Sequence, residues 1–116
     1  MKVLVTRDSI NVMLMNSNSE FVMHVVGKAL VGIFNRQTED EKQVNSTTKH
    51  NGIGFSGSDA KGGSLSAKFY IKHKRLEPWM VLKWTKVSER TGYPRLCKYH
   101  TQLNEIANQK AERRSN

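Results

Sequence analysis

The sequence predicts an α+β protein, a short N-terminal β-hairpin followed by a mainly helical domain with three C-terminal helices. Three observations carry that expectation. Apolar and polar residues alternate over the first fifteen positions, the period of a half-buried strand. Asp59, Glu77-Pro78 and Tyr93-Pro94 stand where helices can open. Leu96, Tyr99, Leu103 and Ile106 then fall on one helical stripe.

In the first segment Val3 and Val5 flank Leu4, and Ile10, Val12 and Leu14 alternate with Asn11, Met13 and Met15. The intervening Thr6-Arg7-Asp8-Ser9 supplies turn chemistry, so a hairpin is the simplest reading. Asn16-Ser17-Asn18-Ser19 is a breaker and helix-start cluster. Phe21, Val25, Leu30 and Phe34 recur at near-helical spacing, with a strand over part of 20–34 as the competing assignment. Residues 1–27 are therefore expected to be β-rich and 28–113 helical, within one domain spanning 1–116.

Thr38-Glu39-Asp40-Glu41 has the form of a capping box and predicts a helix start. The stretch from Asn45 to Gly63 is polar and Gly-rich, and reads as a loop around an apolar tip, Ile53 and Phe55. Asp59 is placed to cap a helix running to about Lys74. Proline is favoured in a first helical turn, where its missing N–H costs nothing, so Pro78 and Pro94 open the next two helices. The last continues to about Arg113, and 110–116 form a frayed polar tail.

Length and composition narrow the function. The chain has 116 residues and one cysteine, which suits a single domain without an internal disulfide. No apolar run approaches the ~20 residues of a membrane span, and no signal-peptide pattern opens the sequence. A cytoplasmic protein without membrane contact is expected.

Charge is more informative. Lys and Arg number 19 against 10 Asp and Glu, a formal net charge of +9. Residues 1–48 hold five basic and five acidic groups, so the whole excess lies in residues 49–116. A segregated excess of this kind points to a polyanionic partner more than to a solubility device. Lys61, Lys68, Lys72 and Arg75 are spaced to share one face of the first C-terminal helix, and Trp79, Lys83, Lys86 and Arg90 one face of the second. Arg95 and Lys98 extend the positive surface onto the third. Met80, Trp84 and Val87 form a separate apolar stripe, which leaves Trp79 either to stack on a base between cations or to fold back over Pro78. Together these residues are the candidate nucleic-acid-binding set, with single strands favoured because an aromatic ring flanked by cations suits an unstacked base.

Asn51 to Gly57 contains a literal Gly-x-Gly-x-x-Gly in Gly52, Gly54 and Gly57. No strand precedes it, and the chain has no room for a doubly wound sheet, so dinucleotide binding is not expected. A turn that buries Phe55, or a loop whose N–H groups approach a phosphate, remain as readings. His24, His50, His73 and His100 are scattered, and Cys97-x-x-His100 is one half of a zinc site without the other. The carboxylates are few and separate. The sequence therefore predicts no catalysis, no metal and no cofactor.

The run Asn35-Arg36-Gln37-Thr38-Glu39-Asp40-Glu41, then His50-Asn51-Gly52-Ile53-Gly54-Phe55-x-Gly57-x-Asp59-Ala60, then Ala67-Lys68-x-Tyr70, then Leu76-x-Pro78-Trp79 with Trp84, and finally Arg95-Leu96-x-Lys98-Tyr99-x-x-Gln102-Leu103-Asn104-Glu105-Ile106-Ala107 resembles a small domain seen mainly in proteins encoded by bacteriophages. The likeness covers roughly residues 28–107, and similar segments occur in larger nucleic-acid-processing proteins. It implies a phage origin and a host-cytoplasm setting. The expected function is that of a non-catalytic phage accessory protein binding single-stranded DNA or RNA. The alternative is an inhibitor that captures a host protein, either a defence system or the transcription or replication machinery. A homodimer through Phe21, Val25 and neighbouring apolar residues is a third reading.

Overall fold

The computed structural model describes residues 4–44 and 54–115. Their elements are α1 (Arg7–Leu14), α2 (Ser19–Val44), α3 (Ala60–His73), α4 (Pro78–Thr85), a 3-10 helix (Arg95–Tyr99) and α5 (His100–Ser115). Among the described residues there is no strand, and the only β pairing is an isolated antiparallel bridge between Val87 and Pro94.

The expected N-terminal β-hairpin is therefore corrected to two helices. The residues read as a turn are a helix start. Thr6 Oγ1 accepts from Ser9 N at 3.1 Å, and Thr6 N donates to Ser9 Oγ at 2.9 Å. This is a reciprocal capping box in which serine takes the place usually held by glutamate. The apolar alternation misled because Ile10, Met13 and Leu14 also satisfy i, i+3, i+4. Ile10 is fully buried and Met13 and Leu14 pack partly against the core, whereas Val12, an inward position in the strand reading, is exposed.

Asn18 starts α2, its Oδ1 accepting from Glu20 N at 3.0 Å and Phe21 N at 3.1 Å. The helix runs 26 residues, so Thr38 begins nothing. Its hydroxyl donates back to Phe34 O at 3.2 Å and Asn35 O at 3.1 Å, a mid-helix alternative to capping. Gly27, within α2, has a packing reason. A Cβ there would overlap the ring of Tyr70, so its absence lets α3 lie directly on α2.

Two of the predicted helix starts are close to the observed ones. Pro78 occupies the first turn of α4. Asp59 stands at the N-cap of α3, its carbonyl accepting from Gly63 N at 2.7 Å, but its side chain makes none of the expected capping bonds. The third start is shifted, since Pro94 precedes a 3-10 helix and the α-helix proper begins at His100.

Val22, Val26, Leu30 and Ile33 of α2 meet Ala67 and Tyr70 of α3 in the core. Trp84 of α4 sits at its far end with no solvent exposure, between Phe55 (ring centroids 6.0 Å apart) and Tyr99 (6.3 Å). These aromatics tie α4 to the 54–59 loop and the 3-10 helix. Arg36 Nη1 reaches Glu105 Oε1 at 2.9 Å, and Val5 N donates to Asn104 Oδ1 at 2.7 Å, so α5 is held from two sides.

Candidate nucleic-acid interface

Asp59 is the electrostatic centre of this end of the molecule. Its carboxylate is fully buried, yet it faces four donors. Arg95 Nε donates to Oδ1 at 2.8 Å, and Arg95 Nη2 bonds the same oxygen. On Oδ2, Lys98 Nζ lies at 2.7 Å and the Tyr99 hydroxyl donates at 2.5 Å. Ser56 Oγ adds a longer bond at 3.4 Å. Burial by itself pushes this carboxyl up, but the bonds from Lys98, Tyr99 and Arg95 outweigh it and hold its pKa at about 2. Burial, and then the bond to Asp59, push the Tyr99 hydroxyl up to about 12.

The same bonds organise the neighbouring surface. Arg95 and Lys98 remain 39% and 45% exposed, with their charged ends fixed by the buried carboxylate. One carboxylate opposes two cations, so the pair keeps a net positive charge. Beside them opens a cleft of about 860 Å³. Arg7, Lys83, Lys86, Arg90, Arg95 and Lys98 line it, against Glu89 as the single acidic lining residue. Ser58, Ser88 and Thr91 are also among the lining residues.

Local structure brings these residues together. The helical face expected for Trp79, Lys83, Lys86 and Arg90 breaks, because α4 ends at Thr85. Lys86 and Arg90 instead lie on a loop that returns to its start. Arg95 N donates to Lys86 O at 3.1 Å, Ser88 N to Tyr93 O at 2.9 Å and Gly92 N to Ser88 O at 2.8 Å. Gly92 takes φ +77°, a conformation that glycine adopts without steric cost. The Tyr93 hydroxyl donates to Asp8 Oδ1 at 2.7 Å, and Arg7 lies over the Tyr93 ring at 5.3 Å. The loop is thereby braced against α1, and Arg7 becomes a cleft residue. Its spacing from the C-terminal cations carried no signal in the sequence.

Five of the ten candidate binding residues thus share one cleft, and five lie outside it. Lys61, Lys68 and Lys72 do fall on one face of α3, opposite the buried Gly63, Ser66, Ala67 and Tyr70. That face points away from the core and does not line the cleft. Lys68 lies over the Phe34 ring at 5.8 Å. Arg75 follows the end of α3, sits over Phe69 at 5.8 Å and pairs with Glu77 at 3.7 Å. Trp79 is 57% exposed on α4, while Lys83, one turn on, lies over the Trp84 ring at 5.6 Å.

The glycine-rich loop sits elsewhere. Gly52 lies outside the described residues. Gly54 N donates to Gln102 Oε1 at 2.8 Å, Phe55 N to Gln37 Oε1 at 3.0 Å and Ser56 N to the Tyr99 hydroxyl at 3.1 Å. These donors serve to hold the turn over the core rather than to face a ligand, and Gly57 is exposed at its tip. In the Cys97-x-x-His100 pair, Cys97 is buried and its thiol donates to Arg7 O at 3.5 Å, while burial pushes its pKa up. His100 Nδ1 lies 3.2 Å from Cys97 O. Among the described residues no group of three or more His, Cys, Asp or Glu side chains could hold a metal ion, and no helix is long and apolar enough to cross a membrane. In comparisons with known proteins, no family model, curated protein or solved structure matches this chain.

Proposed function

We propose that this chain is a non-catalytic, phage-encoded accessory protein of the host cytoplasm that binds nucleic acid, single strands in preference to duplex. The observation that carries the reading is the convergence of six cationic side chains on one cleft against a single acidic residue. Such a concentration of charge raises the local concentration of polyanions and steers their approach. Arg95 and Lys98 are already immobilised by Asp59, so phosphate contact there loses little side-chain freedom. Trp79, exposed on the helix that also carries Lys83, supplies a ring on which a base can stack.

The test is titration of a fluorescently labelled single-stranded oligonucleotide across a salt series. Binding at low salt, with log affinity falling linearly in log salt, is expected because neutralised phosphates release counterions. Absence of binding at low salt overturns the reading.

A second reading, an inhibitor that captures a host protein, draws on a different observation. Trp79 and Leu82 are 57% and 65% exposed and lie three residues apart on α4, so they share a face. An apolar strip beside Lys83 fits an acidic protein surface with a hydrophobic centre. A stoichiometric protein partner recovered from host lysate after nuclease treatment, together with failure of the oligonucleotide titration, would favour it.

A further inference from the structure

We propose that the cleft is an end-binding site, built for a terminal phosphomonoester rather than for the internal phosphodiesters of a strand passing through. The inference rests on the nucleic-acid reading above and names which part of the ligand this cleft takes. Its first support is size and lining. The volume of about 860 Å³ lies in the range of small-ligand pockets. The walls come from α1, Ser58 of the loop before α3, α4, the 86–94 loop, the 3-10 helix and the first residue of α5. Cations from four separate segments thus line one space.

The second support is charge. An internal phosphodiester carries one negative charge, whereas a phosphomonoester carries about −1.5 to −2 near neutral pH and offers three terminal oxygens. Arg95 and Lys98 already share the charge of Asp59, but Arg7, Lys83, Lys86 and Arg90 have only Glu89 as acidic company on the cleft wall. That surplus is met more fully by one doubly charged end than by one singly charged diester. Ser58 and Ser88 add hydroxyls to the lining for the additional oxygens, while the Thr91 hydroxyl donates to Tyr93 O at 3.4 Å. Trp79 and the α3 lysines do not line the cleft.

The same chemistry is found on an oligonucleotide end, on a free mononucleotide and on inorganic phosphate, and the experiment separates them. One single-stranded 12-mer sequence is prepared with a 5′-phosphate, a 3′-phosphate or hydroxyls at both ends. Their affinities for the intact protein are measured at one salt concentration, with a nucleoside 5′-monophosphate and inorganic phosphate as competitors. The expected result is at least about tenfold tighter binding of one phosphorylated oligonucleotide than of the hydroxyl-ended one. The double variant Lys86→Ala/Arg90→Ala should abolish that preference. Both side chains are exposed and on a loop, and an unchanged circular-dichroism melt will show that the fold persists. Equal affinity for all three oligonucleotides overturns the end-binding proposal and leaves the nucleic-acid reading standing. If the mononucleotide binds as tightly as the phosphorylated oligonucleotide while the hydroxyl-ended strand fails to bind, the phosphomonoester site stands and the single-strand reading falls. A phosphorylated-end preference that survives in the double variant overturns the assignment to this cleft.

Discussion

Arg95 grips a single oxygen of a buried carboxylate, with both Nε and Nη2 bonding Asp59 Oδ1. Asp59 itself has no exposure to solvent, so its charge is sustained only by protein donors. Removing one partner from a buried ionic cluster leaves the other uncompensated, which typically costs about 3–5 kcal/mol. Asp59→Asn keeps the shape and removes the charge. Arg95 and Lys98 are part-exposed and can recover some hydration, so a loss of about 3 kcal/mol is expected in urea unfolding. In an Arg95→Met background the same substitution should cost clearly less, because the two residues act as a unit.

The cluster also sets a pH window. A carboxyl whose folded pKa is about 2 instead of the ordinary 3.8 favours the folded state wherever it is ionised. Its contribution is complete above about pH 4 and is lost as pH falls toward 2, a total of about 2 kcal/mol at 1.36 kcal/mol per pKa unit. Tyr99 acts at the other end. Its hydroxyl, raised from 10 to about 12, favours the folded state below pH 10, and that contribution is lost between about 10 and 12. Thermal melts across pH should show both limbs. Asp59→Asn should flatten the part of the acid limb between pH 4 and 2.

Thr6 and Ser9 mark where sequence and structure part. The helix start at Pro78 is legible because first-turn chemistry is local, whereas Asp59 stands at its helix start without side-chain capping, its carboxylate being taken by Arg95, Lys98 and Tyr99. The N-terminal helices are not legible, because a few alternating apolar residues satisfy both a strand face and a helical i, i+3, i+4 face, and tertiary burial of Ile10 decides between them. The candidate site divides similarly. The single helical face expected for Trp79, Lys83, Lys86 and Arg90 does not form; the loop after Thr85 brings Lys86 and Arg90 to the cleft that Lys83 lines, and Trp79 lies outside it. Asp59 and Arg95 are 36 residues apart, and no spacing rule links such a pair. If Thr6 caps a helix, Thr6→Ala should cost about 1 kcal/mol in chemical unfolding. In a hairpin turn the same exchange would be nearly neutral.

Lys74 ends α3 in the left-handed region, with φ 58° and ψ 26°, its N–H donating to Tyr70 O at 2.7 Å. A side chain in that conformation carries a steric cost that glycine avoids. The lysine is exposed, so little packing is lost on truncation. Lys74→Gly should therefore stabilise the protein by about 0.5–1 kcal/mol, raising the melting temperature by a few degrees. A fall in the melting temperature would mean that the lysine side chain contributes more than its backbone costs.

The positive surfaces of α3 and of the cleft can be separated by salt dependence. Each phosphate neutralised contributes about −0.9 to the slope of log affinity against log salt in duplex and about −0.7 in single strands. Lys86→Ala/Arg90→Ala should therefore make the single-strand slope shallower by about 1.4 if both residues meet phosphates. Lys61→Ala/Lys72→Ala changes two exposed residues on the solvent face of α3. It should reduce the slope only if the strand crosses from the cleft to that helix. Trp79→Ala carries no charge change, so it should leave the slope intact while weakening single-strand binding by about 1–3 kcal/mol through lost stacking. A slope that responds to the α3 pair and not to the loop pair would place the phosphates on the helix face and empty the cleft of its role in strand binding.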